Sequence, residues 1–304
     1  WSLSNKETMP SFSAVAYYFG KELQENLNIP IGLIHSSWGG TSVENWTPKK
    51  IIDSDAKFSD WKNIFDTNAY RPVEPSVLYN AMIHPLIPFD IAGVIWYQGE
   101  SNTANPLVYR RLFPAMIASW RKEWKKDFPF YYVQIAPYNY DKPLIGALVQ
   151  EAQLMSMSTN KVGMVVTNDI GNINDIHPQN KLDVGKRLAY WALNKNYKKD
   201  IVYSGPVYKS MEKEGNKLRI RFDNGDGLYF KTSNPKNFLI AAADGVFYQA
   251  NISIEKNTLT ARHPNIEQPV SLRYAFSNTA IGNLFNSAHL PASAFRTDDW
   301  PILL

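Results

Sequence analysis

The sequence predicts an α/β protein: a parallel sheet with helices on both faces over residues 1–200, an antiparallel β module over 201–280, and a C-terminal segment, 281–304, that returns to the core. Up to about residue 200, short apolar runs alternate with stretches of helical spacing. Beyond it, short alternating strands are separated by turn dipeptides. A third observation concerns the start. Doubly wound units usually open with a strand, whereas this chain opens with a helix, so its parallel sheet is expected to lack the first strand.

Phe12, Val15, Ala16, Phe19 and Leu23 follow helical spacing behind Pro10. Ile31 to Ser36, entered from Pro30, reads as a buried strand leading into Ser37-Trp38-Gly39-Gly40-Thr41. Adjacent glycines after a strand let backbone N–H groups approach a ligand closely, and they equally punctuate ordinary turns. Residues 47–75, with Pro48, Pro72 and Pro75, read as a loop or lid carrying a short helix at Trp61 to Phe65. Ile91 to Tyr97 is the next strand, ending in Gln98-Gly99-Glu100-Ser101-Asn102, and a polar cluster after a buried strand is where open α/β sheets place their sites. A helix from Pro106 carries Tyr109, Leu112, Phe113, Met116, Ile117, Trp120 and Trp124 on one face, with Pro114 as a kink. Phe130 to Ala136 and Val162 to Thr167 complete the strands, separated by a helix from Ile145 to Met157.

The stretch around which these elements are arranged is Asp175-Ile176-His177-Pro178. Proline suits the first turn of a helix, where its missing N–H has no intrahelical partner, so His177 is expected at a helix start. In that helix Val184, Gly185, Leu188, Ala189, Trp191, Ala192, Leu182 and Leu193 fill one arc, while Lys186, Arg187, Tyr190, Asp183 and Asn194 fill the other. Such a helix can aim His177 as a general base. The alternative is a surface histidine near a helix cap. Arg187, on the polar arc, is expected at the surface or in an ion pair.

After residue 200, strands are expected at Lys217 to Phe222, Leu228 to Lys231, Phe238 to Ala242, Val246 to Ile254, Thr258 to Arg262 and Val270 to Ala275. Asn224-Gly225, Asp226-Gly227 and Asp244-Gly245 supply turns between some of them.

Composition narrows the chemistry. A net charge of +4, from 32 basic and 28 acidic residues mixed along the chain, gives no support for a nucleic-acid partner. No apolar run reaches the roughly 18 residues of a membrane span, and Trp1 to Pro10 lacks the pattern of a signal peptide. With no cysteine, disulfides, thiol nucleophiles and thiolate metal sites are all removed, so any nucleophile is an oxygen. His35, His84, His177, His263 and His289 show no paired ligand spacing, and a metal-dependent hydrolase is the weakest reading. The 9 Trp, 17 Tyr and 15 Phe read first as core and only second as platforms for sugars.

Pro30-Ile31-Gly32-Leu33-Ile34 with Ser37-Trp38-Gly39-Gly40-Thr41, Gly93-Val94-Ile95-Trp96-Tyr97-Gln98-Gly99-Glu100-Ser101-Asn102, and Asp175-Ile176-His177-Pro178 with Lys181 and Gly185-Lys186-Arg187-Leu188-Ala189 resemble blocks of the sialate O-acetylesterases. These are carbohydrate esterases of the SGNH hydrolase superfamily, with a three-layer αβα, flavodoxin-like fold. Arg273-Tyr274-Ala275-Phe276, Asn283-Leu284-Phe285-Asn286 and Leu290-Pro291-Ala292-Ser293-Ala294-Phe295-Arg296-Thr297 resemble the C-terminal end of the same family, so the likeness runs over essentially the whole chain.

The resemblance implies a cofactor-free serine esterase that removes acetyl groups from sugar hydroxyls, with an acetylated sialic acid or another acetylated glycan such as acetylxylan as substrate, in an extracellular or periplasmic setting. It implies His177 as the base, and a backbone N–H of the Gly39-Gly40 turn and the Gln98 amide as oxyanion donors. Asn102 would support the site. Glu100 is expected to point away from it and brace loops, since its charge would oppose an oxyanion. Two departures stand out. The superfamily's aspartate lies three positions before the histidine, where this chain has Asn174; Asp175, Asp169 or a main-chain carbonyl is left to orient the imidazole. The family's Gly-Gln-Ser-Asn nucleophile block is absent, and Ser101 belongs to the later strand edge. The expectation is therefore an enzyme whose serine comes from its own missing N-terminal segment. The rival is a non-catalytic carbohydrate-binding protein of the same fold.

Overall fold

The computed structural model describes residues 1–63, 65, 70–233 and 235–302. Contacts divide the chain into two units: Trp1–Ile135 with Leu148–Val165 and Gln179–Tyr203, and Ala136–Ala147 with Val166–Pro178 and Ser204–Leu304.

The first unit is built on α1 (Ala14–Leu27), α2 (Lys49–Ile52), β1 (Val94–Tyr97), α3 (Pro106–Trp124), β2 (Phe130–Val133), α4 (Ile145–Met155), β3 (Val162–Val165) and α5 (Lys181–Lys195). The strands run parallel in the order β1-β2-β3, with Trp96 opposite Tyr132 and Tyr132 opposite Met164. Side chains alternate across the sheet. On one face Trp96 stacks on Phe113 of α3 at 6.3 Å, and Tyr132 meets Phe113 edge-on at 5.0 Å. On the other face Tyr131 lies against Trp191 of α5 at 5.9 Å, and Gly163 leaves the room that this indole occupies. α1 then packs on α5 through Gly185, where a Cβ would stand 2.9 Å from Phe19 N and 3.0 Å from Val15 O. Helices thus cover both faces of a parallel sheet, as the alternating pattern predicts.

Four local expectations change. Ile31 to Ser36 forms no strand, because an apolar run becomes one only beside a hydrogen-bonding neighbour, and no described strand lies against it. α5 opens at Lys181 rather than at Pro178, because the Asn180 side chain accepts the Asp183 N–H at 3.1 Å and caps the helix there. Arg187 is buried whereas Leu182 is 42% exposed, so the buried arc is shifted from the one read off the sequence. The short helix expected at Trp61 to Phe65 appears as a 3₁₀ turn, Ser59–Asn63; Ile64 lies outside the described residues. Pro114, in contrast, sits inside α3 as expected.

The second unit carries β4 (Val207–Glu214), β5 (Lys217–Asp223), β6 (Tyr229–Phe230), β7 (Phe238–Ala241), β8 (Phe247–Gln249), β9 (Asn251–Glu255), β10 (Thr258–Arg262), β11 (Ser271–Tyr274), β12 (Leu284–Phe285) and β13 (Phe295–Arg296). They pair antiparallel as β4-β5-β10-β9, β13-β11-β7-β8 and β12-β6. Phe295 stacks on Tyr208 at 4.9 Å and meets Phe222 at 5.8 Å, which joins strands of two of these sheets. From the C-terminal segment, β12 pairs with β6 and β13 with β11. The single run expected at Val246 to Ile254 is two strands, β8 and β9, on different sheets. β4 escaped the sequence reading because half of its residues are charged or exposed.

Candidate active site

The twin-glycine turn follows the unpaired run. Gly40 has φ +70°, a left-handed angle that glycine adopts without strain, and its carbonyl accepts a bond from Arg71 Nη1. Both glycines are exposed, and among the described residues their N–H groups have no acceptor. Immediately after them the chain dives inward. Residues 41–48 are buried, Thr41 Oγ1 donates to Trp38 O at 2.7 Å, and Trp46 Nε1 donates to Thr41 Oγ1 at 2.9 Å.

What fixes this buried stretch is Asn102, in the 3₁₀ turn Glu100–Ala104 beyond β1. It is fully buried, and all its amide positions are used. Oδ1 accepts from Val43 N–H at 2.9 Å and from Gln98 Nε2 at 2.7 Å; Nδ2 donates to Glu44 Oε2 and Asn105 Oδ1, each at 2.9 Å. The Glu44 carboxylate, equally buried, accepts a second amide from Asn105 Nδ2 at 2.7 Å. A buried network of this kind rigidifies the segments that it joins.

Gln98 belongs to the same network. Its Nε2 donates to Thr41 O at 3.1 Å as well as to Asn102, which engages both amide hydrogens. Its Oε1 is buried without a partner among the described residues. Turning the amide over would set oxygen against two acceptors, so the network fixes its orientation. As placed, Gln98 braces the Thr41 turn, and donating to an oxyanion requires it to give up one of these bonds. Gly99 has φ +153°, and a Cβ there would stand 2.6 Å from Ile135 Cγ2 and 3.0 Å from Gln153 Nε2. Gln153, buried on α4, donates to Gln98 O and Val133 O and accepts from Ile135 N–H, tying the ends of β1 and β2 together. Burial, and then the Glu100 charge, push the Tyr97 hydroxyl far above the ordinary phenol range.

His177 and Asp175 lie in the other unit. The loop that holds them is made of local turns. Asn172 Oδ1 accepts Asn174 N–H at 3.0 Å, Asn172 O accepts Asp175 N–H at 3.0 Å, and Asp175 Oδ1 accepts His177 N–H at 2.9 Å. The Asp175 carboxylate thus bonds the His177 backbone, while His177 Nδ1 stands 3.8 Å away, too far for a hydrogen bond. The His177 side chain is 88% exposed. Asp169, the other candidate to orient it, places its charge near Tyr274, whose hydroxyl burial pushes up to about 12 against the N–H bonds of Asn283 and Leu284.

Three polar residues of this architecture escaped the sequence reading. Glu44 and Gln153 carry one signal, a polar side chain in an otherwise buried stretch. Arg71 carries none: its Nη1 reaches Ser101 Oγ at 3.2 Å as well as Gly40 O, and its Nε is buried without a partner among the described residues. His35 Nε2 also lies 2.6 Å from Ser37 Oγ within one exposed turn. Among the described residues no group of three His, Asp or Glu side chains could hold a metal ion, and no helix is long and apolar enough to cross a membrane.

A family profile described as carbohydrate esterase, sialic acid-specific acetylesterase, matches residues 6–194. The chain belongs to this family. It is 32% identical to the sialate O-acetylesterase of Rattus norvegicus over 66% of this chain and 46% of that protein, and 32% identical to the Homo sapiens sialate O-acetylesterase over 66% and 42%. The crystal structure of a carbohydrate acetylesterase from Xanthomonas citri superposes with a TM-score of 0.89 at 38% identity, covering 99% of this chain and 68% of that one. The chain thus spans less than half the length of the curated relatives that it matches. The twin-glycine and Gln98–Asn102 stretches both lie within the matched residues.

Proposed function

We propose that this chain is part of a carbohydrate O-acetylesterase that hydrolyses acetyl esters on sugar hydroxyls, with the serine supplied by an N-terminal segment outside residues 1–304. His177 takes the proton from that serine as its oxygen attacks the acetyl carbonyl, and returns it to the leaving sugar hydroxyl. The N–H groups of Gly39 and Gly40 hold the developing oxyanion, a contribution worth about 3 kcal/mol per donor. Water then releases acetate from the acyl-enzyme by the same proton relay. The observation that carries the reading is the buried Glu44–Asn102–Gln98 network, which locks the open-donor glycine turn to the edge of the sheet.

Within that class we favour an acetylated sialic acid over the neutral acetylxylan. The Arg71 guanidinium beside Gly40 and Ser101 supplies a cation at the turn, suited to the sugar's carboxylate. The test is hydrolysis of acetylated sialic acid and of an acetylated neutral sugar by the intact polypeptide and by Arg71→Ala. A rise in KM confined to the acidic sugar supports the assignment, and an equal rise for both removes it.

One observation favours a second reading, in which the nucleophile lies within the chain: the Ser37–His35 contact is an in-chain Ser–His pair one residue from the turn. Hydrolysis by residues 1–304 alone, abolished by Ser37→Ala, would establish that reading in place of the first.

A further inference from the structure

The Gly39-Gly40 turn has an exposed tryptophan directly before it. Trp38 is 49% exposed, and of the 9 tryptophans only Trp1 is more so. A lone surface tryptophan calls for no explanation, but this one is held at both ends. Its carbonyl accepts the Thr41 hydroxyl at 2.7 Å, and Thr41 is itself buried and bonded by Trp46 Nε1. Its indole Nε1 lies 3.4 Å from Tyr70 O, a long bond that ties the polar edge of the ring to the residue before Arg71. Arg71 Nη1 in turn bonds Gly40 O and Ser101 Oγ, so the indole and the guanidinium are both fastened at one turn. An indole tied by its N–H edge and half exposed offers an apolar face to solvent.

The surroundings of the two glycines differ. A Cβ on Gly39 would meet no described atom within 4 Å, whereas one on Gly40 would stand 3.5 Å from Arg71 Cδ. Open space thus lies at Gly39, with the Arg71 stem on the Gly40 side. An acetyl ester joins its carbonyl to the sugar through a single bridging oxygen. A carbonyl received by the N–H groups of the turn therefore brings the sugar ring within reach of the next residue, since successive Cα atoms are only about 3.8 Å apart.

We propose that Trp38 is the platform on which the pyranose ring of the substrate stacks, and that it selects a sugar acetate over a simple alkyl acetate. The C–H face of a pyranose is apolar while its rim of hydroxyls is polar. Laid on an indole, the ring buries the first and leaves the second in water. Stacking is indifferent to a carboxylate on the ring, so Trp38 serves acidic and neutral sugars alike, and Arg71 adds the preference for the acidic one. A ring held on a fixed platform also aims its ester at the donors, which converts binding away from the reacting bond into orientation. The inference rests on the proposed function, because it takes the Gly39-Gly40 turn as the place where the ester carbonyl is received.

The test compares the intact polypeptide with Trp38→Ala and Trp38→Phe on acetylated sialic acid, an acetylated neutral sugar, and ethyl acetate, which has no ring. Trp38→Ala lowers kcat/KM for both sugar acetates relative to ethyl acetate by about tenfold or more, mainly through KM, with unchanged circular dichroism. Trp38→Phe, which keeps a ring but not the Tyr70 bond, recovers most of the loss. A ratio that Trp38→Ala leaves unchanged, a loss confined to the acidic sugar, or Trp38→Phe as poor as Trp38→Ala overturns the inference. Binding is read separately by saturation-transfer NMR. Transfer to the sugar ring protons that Trp38→Ala abolishes, in a polypeptide that hydrolyses none of the esters, keeps the platform and removes the catalytic reading. Hydrolysis of the sugar acetates with transfer and ratio both unchanged in Trp38→Ala does the reverse.

Discussion

The corner around Asn102 and the loop around His177 are assembled by different physics. At the corner, side chains 58 positions apart in sequence meet in a buried network whose members are fixed by one another. In the loop, each hydrogen bond spans two or three residues, and the imidazole stands in solvent. The difference is one of stiffness. Buried polar networks are rigid because breaking one bond strands the others without water, whereas a turn built of Asx bonds costs little to open. Oxyanion donors gain from the first arrangement, since preorganised dipoles need no reorganisation when charge develops. A proton shuttle tolerates the second.

The largest expected effect separates the two regions by function. In the intact polypeptide His177→Ala lowers kcat by at least about 10³-fold while leaving Tm unchanged, because the side chain is exposed and supports no packing. Retained activity would remove His177 from the mechanism. At the corner the order of effects reverses. Asn102→Leu takes the partner from Glu44 Oε2, Asn105 Oδ1 and the Val43 N–H, leaving the Asn105 Nδ2–Glu44 Oε1 bond, and destabilises by about 3–5 kcal/mol in denaturant titration. A loss below about 1 kcal/mol would mean that water substitutes and the corner is not dry. Gly99→Ala comes next, at about 1–3 kcal/mol, since a Cβ 2.6 Å from Ile135 Cγ2 at positive φ requires the strand end to move.

A smaller effect concerns pH in the second unit. Burial raises the Asp298 carboxyl, yet the bonds from Arg273 and Ser271 and the charges of Arg273 and Arg296 outweigh it and hold the group below its ordinary value. A depressed folded-state pKa stabilises above the unfolded value, so this contribution is complete at neutral pH and disappears as acid titrates through the folded value. Thermal melts show Tm falling over that acidic range, and Asp298→Asn flattens the fall. The smallest effect sharpens the comparison itself. Asp175→Asn keeps an oxygen for the His177 N–H, and with Nδ1 3.8 Å away it lowers kcat by less than about tenfold. A drop near 10⁴-fold would show that the loop closes during turnover and that Asp175 orients the imidazole.

Parts of this were legible from residues alone. β10 spans the expected Thr258 to Arg262, and Pro114 sits within the helix whose aromatic face the spacing marked, because alternation and helical period are properties of neighbouring residues. The Gly39-Gly40 and Gln98–Asn102 stretches stood out by composition, yet the fixed orientation of Gln98 did not, since its partners Thr41 and Asn102 decide it.

The sequence by itself determined the alternation of strand and helix, the change of texture near residue 200, and the family blocks, all of which are written in short-range pattern. Only the tertiary structure decided that Ile31 to Ser36 stays unpaired, that Arg187 is buried, and that Glu44 and Asn102 share a buried hydrogen bond. The reason is that a strand, a burial and a buried hydrogen bond each need a second partner, and that partner lies at a distance along the chain which no local period encodes.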